Sequence, residues 1–137
     1  MTSFEATTSI AADPDHVWAT LLQTDRWPTW DDSLDRIEGT LAPDGRITVH
    51  VNVQARPIKL RVTEWKPGSR LALVGGMPLG LFTGTRTYDL SPTDAGTDVT
   101  MVERYTGPMA SVIGKRLPDL QPSFDAFVAG WRDDAQH

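Results

Sequence analysis

No cysteine occurs in the 137 residues, which excludes disulfides, thiolate nucleophiles and Cys-based zinc sites and leaves the redox compartment open. Histidine is scarce: His16, His50 and His137 are scattered, so neither a metal cluster nor a catalytic His is expected. No apolar run approaches the roughly 18 residues that span a bilayer. Residues 1–10 lack the basic segment and apolar block of a secretory signal, so a cytoplasmic location is expected. Positive charge is also in deficit. Thirteen Lys and Arg against 18 Asp and Glu leave a formal charge of −5, which opposes nucleic-acid binding and gives no pull toward anionic membranes. The expected partner is a small, largely apolar molecule, with no cofactor, no metal and no stable membrane association, and the chain is read as a monomer or homodimer.

What is present is enough for one sizeable core. Hydrophobic residues at 39% and charged residues at 23% are ordinary for a globular protein, and the length fits a single domain over residues 1–137. The most pronounced pattern lies at residues 107–134. Apolar side chains recur there at Met109, Val112, Ile113, Leu117, Leu120, Phe124, Phe127, Val128 and Trp131, the spacing of one helical stripe. A continuous helix would run about 40 Å. Pro118 and Pro122 interrupt it, since each removes a backbone donor and clashes with the preceding turn, so a kink or short break is expected over residues 117–121.

The strands before it supply the surface that this stripe needs. Residues 2–11 alternate, with Phe4, Ala6, Thr8 and Ile10 on one face. Asp13-Pro14 reads as an N-cap followed by proline at the first helical position, opening a short helix to residue 23 whose Val17, Trp18, Leu21 and Leu22 face a core. Residues 25–31 hold Trp27 and Trp30 in a compact turn or second short helix. Strands follow at 34–41, 46–54, 57–65, 70–75, 81–91 and 97–106, separated by turn signals such as Pro43-Asp44-Gly45 and Lys66-Pro67-Gly68. Six or seven antiparallel strands, two short helices and a long, kinked C-terminal helix make an α+β domain. A single curved sheet over one helix seldom fills completely, so a cavity for an apolar ligand is expected between them.

The last hairpin carries the sharpest local signal. Alternation puts Phe82, Gly84, Arg86, Tyr88 and Leu90 on one face, and Val99, Met101, Glu103 and Tyr105 on one face of its partner. Pairing Leu90 with Val99 then sets Tyr88 opposite Met101 and Arg86 opposite Glu103. Three roles stay open for the ion pair: mutual neutralisation beneath the helix, an anchor for a polar ligand group, or a general base at Glu103. A neighbouring Arg weakens that last role by lowering the carboxylate pKa. Tyr88 and Tyr105 suit either ordinary packing or a pocket wall that orients a ligand hydroxyl or carbonyl. Glu64, in phase with Leu60 and Val62, is expected at the rim of the cup, and His50 on the solvated face.

Two stretches resemble a known family. Residues 10–30, running through Asp13-Pro14, Val17-Trp18 and Leu21-Leu22 to Trp27-Pro28-Thr29-Trp30, with Asp31 after them, resemble the opening of the START-like or SRPBCC superfamily. Residues 80–92, 96–97 and 103–107, with Gly84-Thr85-Arg86-Thr87-Tyr88-Asp89-Leu90 at their centre, look like its bacterial polyketide cyclase/dehydrase-type branch. The resemblance covers residues 4–134 and implies the helix-grip (START-like) fold, in which a curved antiparallel sheet grips the C-terminal helix around a hydrophobic pocket. It implies lipid binding or other hydrophobic ligand binding by a carrier, sensor or protective binder, an aromatase/cyclase or dehydratase acting on a polyketide-like molecule, or a cochaperone-like interaction module. Arg86 stands where relatives often carry His, and Asp31 where they often carry Asn.

On this reading the pocket is lined from the sheet side by Val51, Leu60, Val62, Leu73, Phe82 and Met101, with Trp30 at one end. Met109, Ile113, Leu117, Leu120 and Phe124 line it from the C-terminal helix. Arg86, Tyr88, Glu103 and Tyr105 are its polar groups and the candidates for any catalysis. Trp27, Met77, Pro78 and Leu79 are candidates for a gate, because glycines at 75, 76 and 80 give that loop backbone freedom. A bend at Pro118 to Pro122 would let the first half of the helix lift opposite this loop.

Overall fold

The computed structural model describes residues 3–52, 55–115 and 119–137. Seven strands form one antiparallel, curled sheet in the order β1-β7-β6-β5-β4-β3-β2. They are β1 (Ser3–Ile10), β2 (Leu34–Glu38), β3 (Arg46–Val51), β4 (Ile58–Lys66), β5 (Arg70–Gly76), β6 (Thr83–Thr93) and β7 (Gly96–Thr106). Two short helices, α1 (Pro14–Leu21) and α2 (Trp27–Trp30), follow β1 as the sequence predicts, with a 3-10 turn at Thr24–Arg26 between them. Asp13 caps α1 by accepting from the His16 amide at 3.0 Å. The predicted helix-grip arrangement is the one observed.

The C-terminal stripe is divided between two helices. The short α3 (Ala110–Gly114) ends before α4 (Gln121–Gln136), so of the expected kink or short break it is the break that is observed. Leu117 and Pro118 lie outside the described residues. Pro122 stands in the first turn of α4, where a missing N–H is tolerated. Asp119 accepts from the Gln121 amide at 3.0 Å at the same helix start. From there α4 packs against β1, α1 and α2, burying Phe124, Phe127, Val128, Trp131 and Ala135. Each large side chain so buried contributes roughly 1.5–3 kcal/mol.

The core sits between this helix, α1, α2 and the concave face of the sheet. Three of its tryptophans have their indole N–H satisfied. The indole of Trp27 donates to the Leu21 carbonyl at 2.9 Å, that of Trp131 to the Val17 carbonyl at 3.0 Å, and that of Trp30 to Asp134 Oδ2 at 2.7 Å. Arg26 Nε donates to the same Asp134 oxygen at 2.9 Å. Phe127 meets both Trp27 and Trp30 edge-on.

The β6–β7 hairpin has the predicted register, with Leu90 opposite Val99, Tyr88 opposite Met101 and Arg86 opposite Glu103. Its strands extend to Thr93 and Gly96, a tighter turn than expected. Gly96 makes this possible: its φ is +150°, and a Cβ there would lie 2.1 Å from the Ile10 carbonyl oxygen. Other expectations are corrected. Strand β2 stops at Glu38 rather than at residue 41, because Gly39 turns the chain at φ +95° against the Arg46 carbonyl. A bulge between Val62 and Glu64 reverses the alternation of β4, which turns Trp65 inward against Trp18 and sends Glu64 to the outer face, where it accepts from Arg70 at 2.7 Å. Gly75 and Gly76 belong to β5 rather than to a free loop. His50 is only 22% exposed and pairs with Glu38.

Candidate functional site

The sheet register stacks the inward side chains in rows that cross the strands. One row, Ala6, Met101, Tyr88, Leu71 and Trp65, belongs to the core, where Met101, Tyr88 and Leu71 are at most 1% exposed. The next row toward the open end runs Phe4, Glu103, Arg86, Leu73 and Val62. It places an ion pair in the middle of an apolar wall. Beyond it come Tyr105, Gly84 and Gly75, two of which have no side chain.

Arg86 Nη2 donates to Glu103 Oε2 at 2.7 Å, and the two side chains are 21% and 16% exposed. From α4, the Phe124 ring lies 4.8 Å beneath the guanidinium carbon, a cation–π contact. Burial pulls the Arg86 pKa down, but the Glu103 carboxylate more than offsets this and the pKa is raised, so the guanidinium stays charged. The guanidinium carries five N–H donors, and this one hydrogen bond leaves most of them for another acceptor.

Aromatic side chains enclose the pair. Phe82 stacks on Tyr105 with ring centroids 5.3 Å apart, Phe4 meets Tyr105 edge-on at 6.4 Å, and Phe4 packs on Phe124 at 5.6 Å. Burial, and then the Glu103 charge, push the Tyr105 phenol well above its ordinary value, so it is a neutral donor. Burial raises Tyr88 in the same direction, with the Arg86 charge working against it. Tyr88 is fully buried and its hydroxyl has no hydrogen-bond partner among the described residues, so Arg86 is its charged neighbour rather than its donor. Such an orphan typically costs about 1–3 kcal/mol.

The floor beside the pair is bare. Gly75 and Gly84 face each other across β5 and β6. A Cβ on Gly84 would touch the Tyr105 ring at 3.3 Å and lie 3.6 Å from Glu103 Oε1, and one on Gly75 would meet a Leu60 methyl at 2.7 Å. Any larger residue would press on the Tyr105 ring or on Leu60.

The remaining predicted residues distribute as follows. Leu73, Val62, Met101 and Phe124 are buried around the pair, Val51 and Leu60 are half-buried on β3 and β4, and Met109, Ile113 and Leu120 are half-buried on the helical side. Trp30 is buried against α4, and Trp27, a candidate for the gate, is 1% exposed in the core. Met77 and Leu79 lie on the β5–β6 loop at 43% and 97% exposure, and the backbone of Pro78 opens a 3-10 turn there. This loop is tied to the segment before α3, because the Met109 amide donates to the Leu81 carbonyl at 2.9 Å. Phe4 joins the site although sequence reasoning left it as an ordinary strand residue. Only its inward phase pointed there; the pairing of the first strand with the last has no local signal.

Among the described residues no group of three His, Asp or Glu converges as a metal ion requires, and no helix is long and apolar enough to cross a membrane.

Comparison with known proteins matches residues 1–131 to a family model described as polyketide cyclase / dehydrase and lipid transport. No curated protein matches the sequence significantly. Among solved structures, a hypothetical protein from Helicobacter pylori superposes with a TM-score of 0.78 at 15% identity, over 98% of this chain and 88% of that one. The Zhui aromatase/cyclase from Streptomyces sp. R1128 gives 0.71 at 18% identity, over 98% and 93%. The di-domain aromatase/cyclase StfQ from the steffimycin biosynthetic pathway gives 0.69 at 17% identity, over 98% of this chain and 49% of that one. At such identities the likeness is one of fold.

Proposed function

The chain belongs to the polyketide cyclase/dehydrase and lipid transport family, and from that premise we propose that it binds a small, largely hydrophobic molecule between the sheet and its C-terminal helices. The observation that carries this reading is the Arg86–Glu103 pair, charged and mostly buried on a wall of Phe4, Phe82, Tyr105 and Phe124 beside the bare Gly75–Gly84 floor. The aromatic walls supply apolar contact, and the unused guanidinium donors take a carbonyl or acidic oxygen of the ligand. The neutral Tyr105 phenol offers a further donor. Glu103 holds the guanidinium over the Phe124 ring, so the charge is positioned before the ligand arrives.

A second reading, favoured by the aromatase/cyclase neighbours, uses the same groups for chemistry. Arg86 would stabilise an enolate oxygen of a poly-β-keto chain, and Glu103 would take the proton released from the adjacent carbon. Its weakness is the same ion pair, in which Arg86 already occupies Oε2 of the carboxylate.

The test is fluorescence titration with 1-anilinonaphthalene-8-sulfonate, an apolar probe with one anionic group. The wild-type protein is expected to bind it saturably at one site. Arg86→Met and Phe82→Ala, both folded by circular dichroism, are each expected to weaken binding by about tenfold, the effect of roughly 1.4 kcal/mol. Absence of saturable binding, or full affinity in both variants, overturns the proposal. For the second reading, an unchanged product profile with Arg86→Ala and Glu103→Gln would exclude catalysis by the pair.

A further inference from the structure

The outer face of the sheet carries a second arrangement that the cup does not use. Ile47, Val49 and Val62 are buried in the core, so Arg46, Thr48, Lys59 and Arg61, which alternate with these strands' inward residues, point the other way. The register sets Arg46 directly opposite Arg61 and Thr48 opposite Lys59, with Val74 on the far side of Arg61. These side chains line a depression of about 550 Å³ that reaches Gly76 and Thr83 and is also bordered by Ile47, Leu60, Gly75 and Met77. Its size falls within the range of small-molecule sites, about 300–1,000 Å³.

Two arginines directly opposite each other on neighbouring strands repel, and sheets ordinarily avoid such pairs. The other such contact in this sheet, Lys66 opposite Arg70, is relieved by Glu64 and Asp89, which hold Arg70. Arg26, Arg36, Arg70, Arg86 and Arg132 each pair with a carboxylate. Among the described residues no carboxylate lies within ion-pair distance of Arg46, Lys59 or Arg61, although acids outnumber bases 18 to 13 in the sequence. The nearest acid on the ladder, Glu38 opposite Thr48, is engaged by Arg36 and His50. An acidic chain that gathers three unpaired cations around one concavity has left a charge for something else to fill.

We propose that this depression is an anion site for the phosphate groups of a small phosphorylated molecule. A phosphate group carries close to two negative charges and accepts from several donors at once, which suits two guanidiniums, an ammonium and the hydroxyls of Thr48 and Thr83. A single carboxylate would leave two cations uncompensated. The net charge of −5 opposes a nucleic acid, and a depression of this volume fits a small free ligand. The proposal is independent of what occupies the cup.

The probe is sodium pyrophosphate, tested by isothermal titration calorimetry and by thermal unfolding. Wild-type protein is expected to bind it saturably and to gain unfolding temperature, while sodium chloride at equal ionic strength produces no such gain. Arg46→Gln and Arg61→Gln are each expected to weaken binding by about tenfold or more. Lys115→Gln, an exposed cation at the end of α3, is expected to bind as wild type does. Without ligand, Arg61→Gln is expected to be no less stable than wild type, because a like-charge contact has been removed, so loss of binding is separable from loss of fold. The proposal is overturned if pyrophosphate binding is not saturable, if chloride stabilises equally, if Lys115→Gln weakens binding as much as Arg61→Gln does, or if the protein binds phosphatidic acid vesicles but not free pyrophosphate.

Discussion

Replacing Glu103 with leucine would strand the Arg86 guanidinium, which does not release its proton in proteins. The charge would then face Phe4, Phe124 and Leu73 with its one carboxylate partner gone. Removing one partner costs about 3–5 kcal/mol for a fully buried pair and about 0–1 kcal/mol for an exposed one. At 21% and 16% exposure this pair lies nearer the buried limit. The expected loss for Glu103→Leu is therefore about 2–4 kcal/mol. The double variant Arg86→Met/Glu103→Leu removes both charges and is expected within about 1 kcal/mol of wild type, since apolar replacement of a whole buried pair is often neutral or better. Urea unfolding followed by the fluorescence of the five tryptophans measures all of these. With a slope of about 1–3 kcal/mol per molar urea, the single variant should lower the midpoint by roughly 1–3 M while the double variant restores it. If Glu103→Leu loses less than about 1 kcal/mol, or if the double variant loses the sum of the two singles, the pair is not the desolvated, coupled element described here. A double variant as stable as wild type would also show that stability does not require the pair, which strengthens the case for a ligand.

Both tyrosines in the chain have raised pKa values, by burial first. The folded protein should therefore show little tyrosinate absorbance near pH 10, where unfolded tyrosines are half ionised. Since the folded values are the higher ones, their stabilising contribution is complete below about pH 10 and fades as pH climbs through them. A reversible tyrosinate signal near pH 10 with native tryptophan fluorescence would refute this burial. At the acid end, the hydrogen bonds from Arg26 and Trp30 hold Asp134 below the usual carboxylate range. Its contribution is present above the unfolded value near 4 and is lost as pH falls through the folded one, so Asp134→Asn should flatten the acid limb of the stability profile. Equal acid sensitivity in variant and wild type would contradict that. Gly130→Ala sets two effects against each other: alanine gains roughly 1 kcal/mol of helix propensity, but its Cβ would lie 2.6 Å from the buried Trp30 ring, and overpacking costs about 1–3 kcal/mol. Trp30 is held by Asp134 and cannot easily retreat, so the unfolding temperature should fall.

The β6–β7 hairpin was legible down to the pairing of Arg86 with Glu103, because its strands are adjacent in sequence and alternation leaves little freedom once the turn is placed. The end of β4 was not. Thr63 has the composition of any strand residue, so nothing in the pattern announces the bulge that exchanges Glu64 for Trp65 on the inner face. The interruption of the C-terminal stripe was legible from its prolines and not from its apolar spacing, which runs on across the gap between α3 and α4 and includes Val112, an exposed residue. Glycines 75 and 84 were legible as glycines but not as a facing pair, since that depends on the register between β5 and β6.

That pair explains why a charge is tolerable where it sits. The inner face of the sheet changes row by row, from Tyr88 and Met101 in the closed core, through Arg86 and Glu103, to the bare Gly84 and Gly75. A guanidinium one row deeper would lose water entirely, and its desolvation would exceed what a single carboxylate returns. One row further out it would be solvated, and an exposed pair orients nothing. Placed between them, Arg86 keeps enough access to remain charged while Glu103 and the Phe124 ring fix its direction. Gly84 lets the Tyr105 ring pack directly on the strand beside Glu103. On this argument Gly84→Val should weaken ligand binding as Arg86→Met does, by displacing the Tyr105 ring rather than by discharging the site, and with the ion pair still formed.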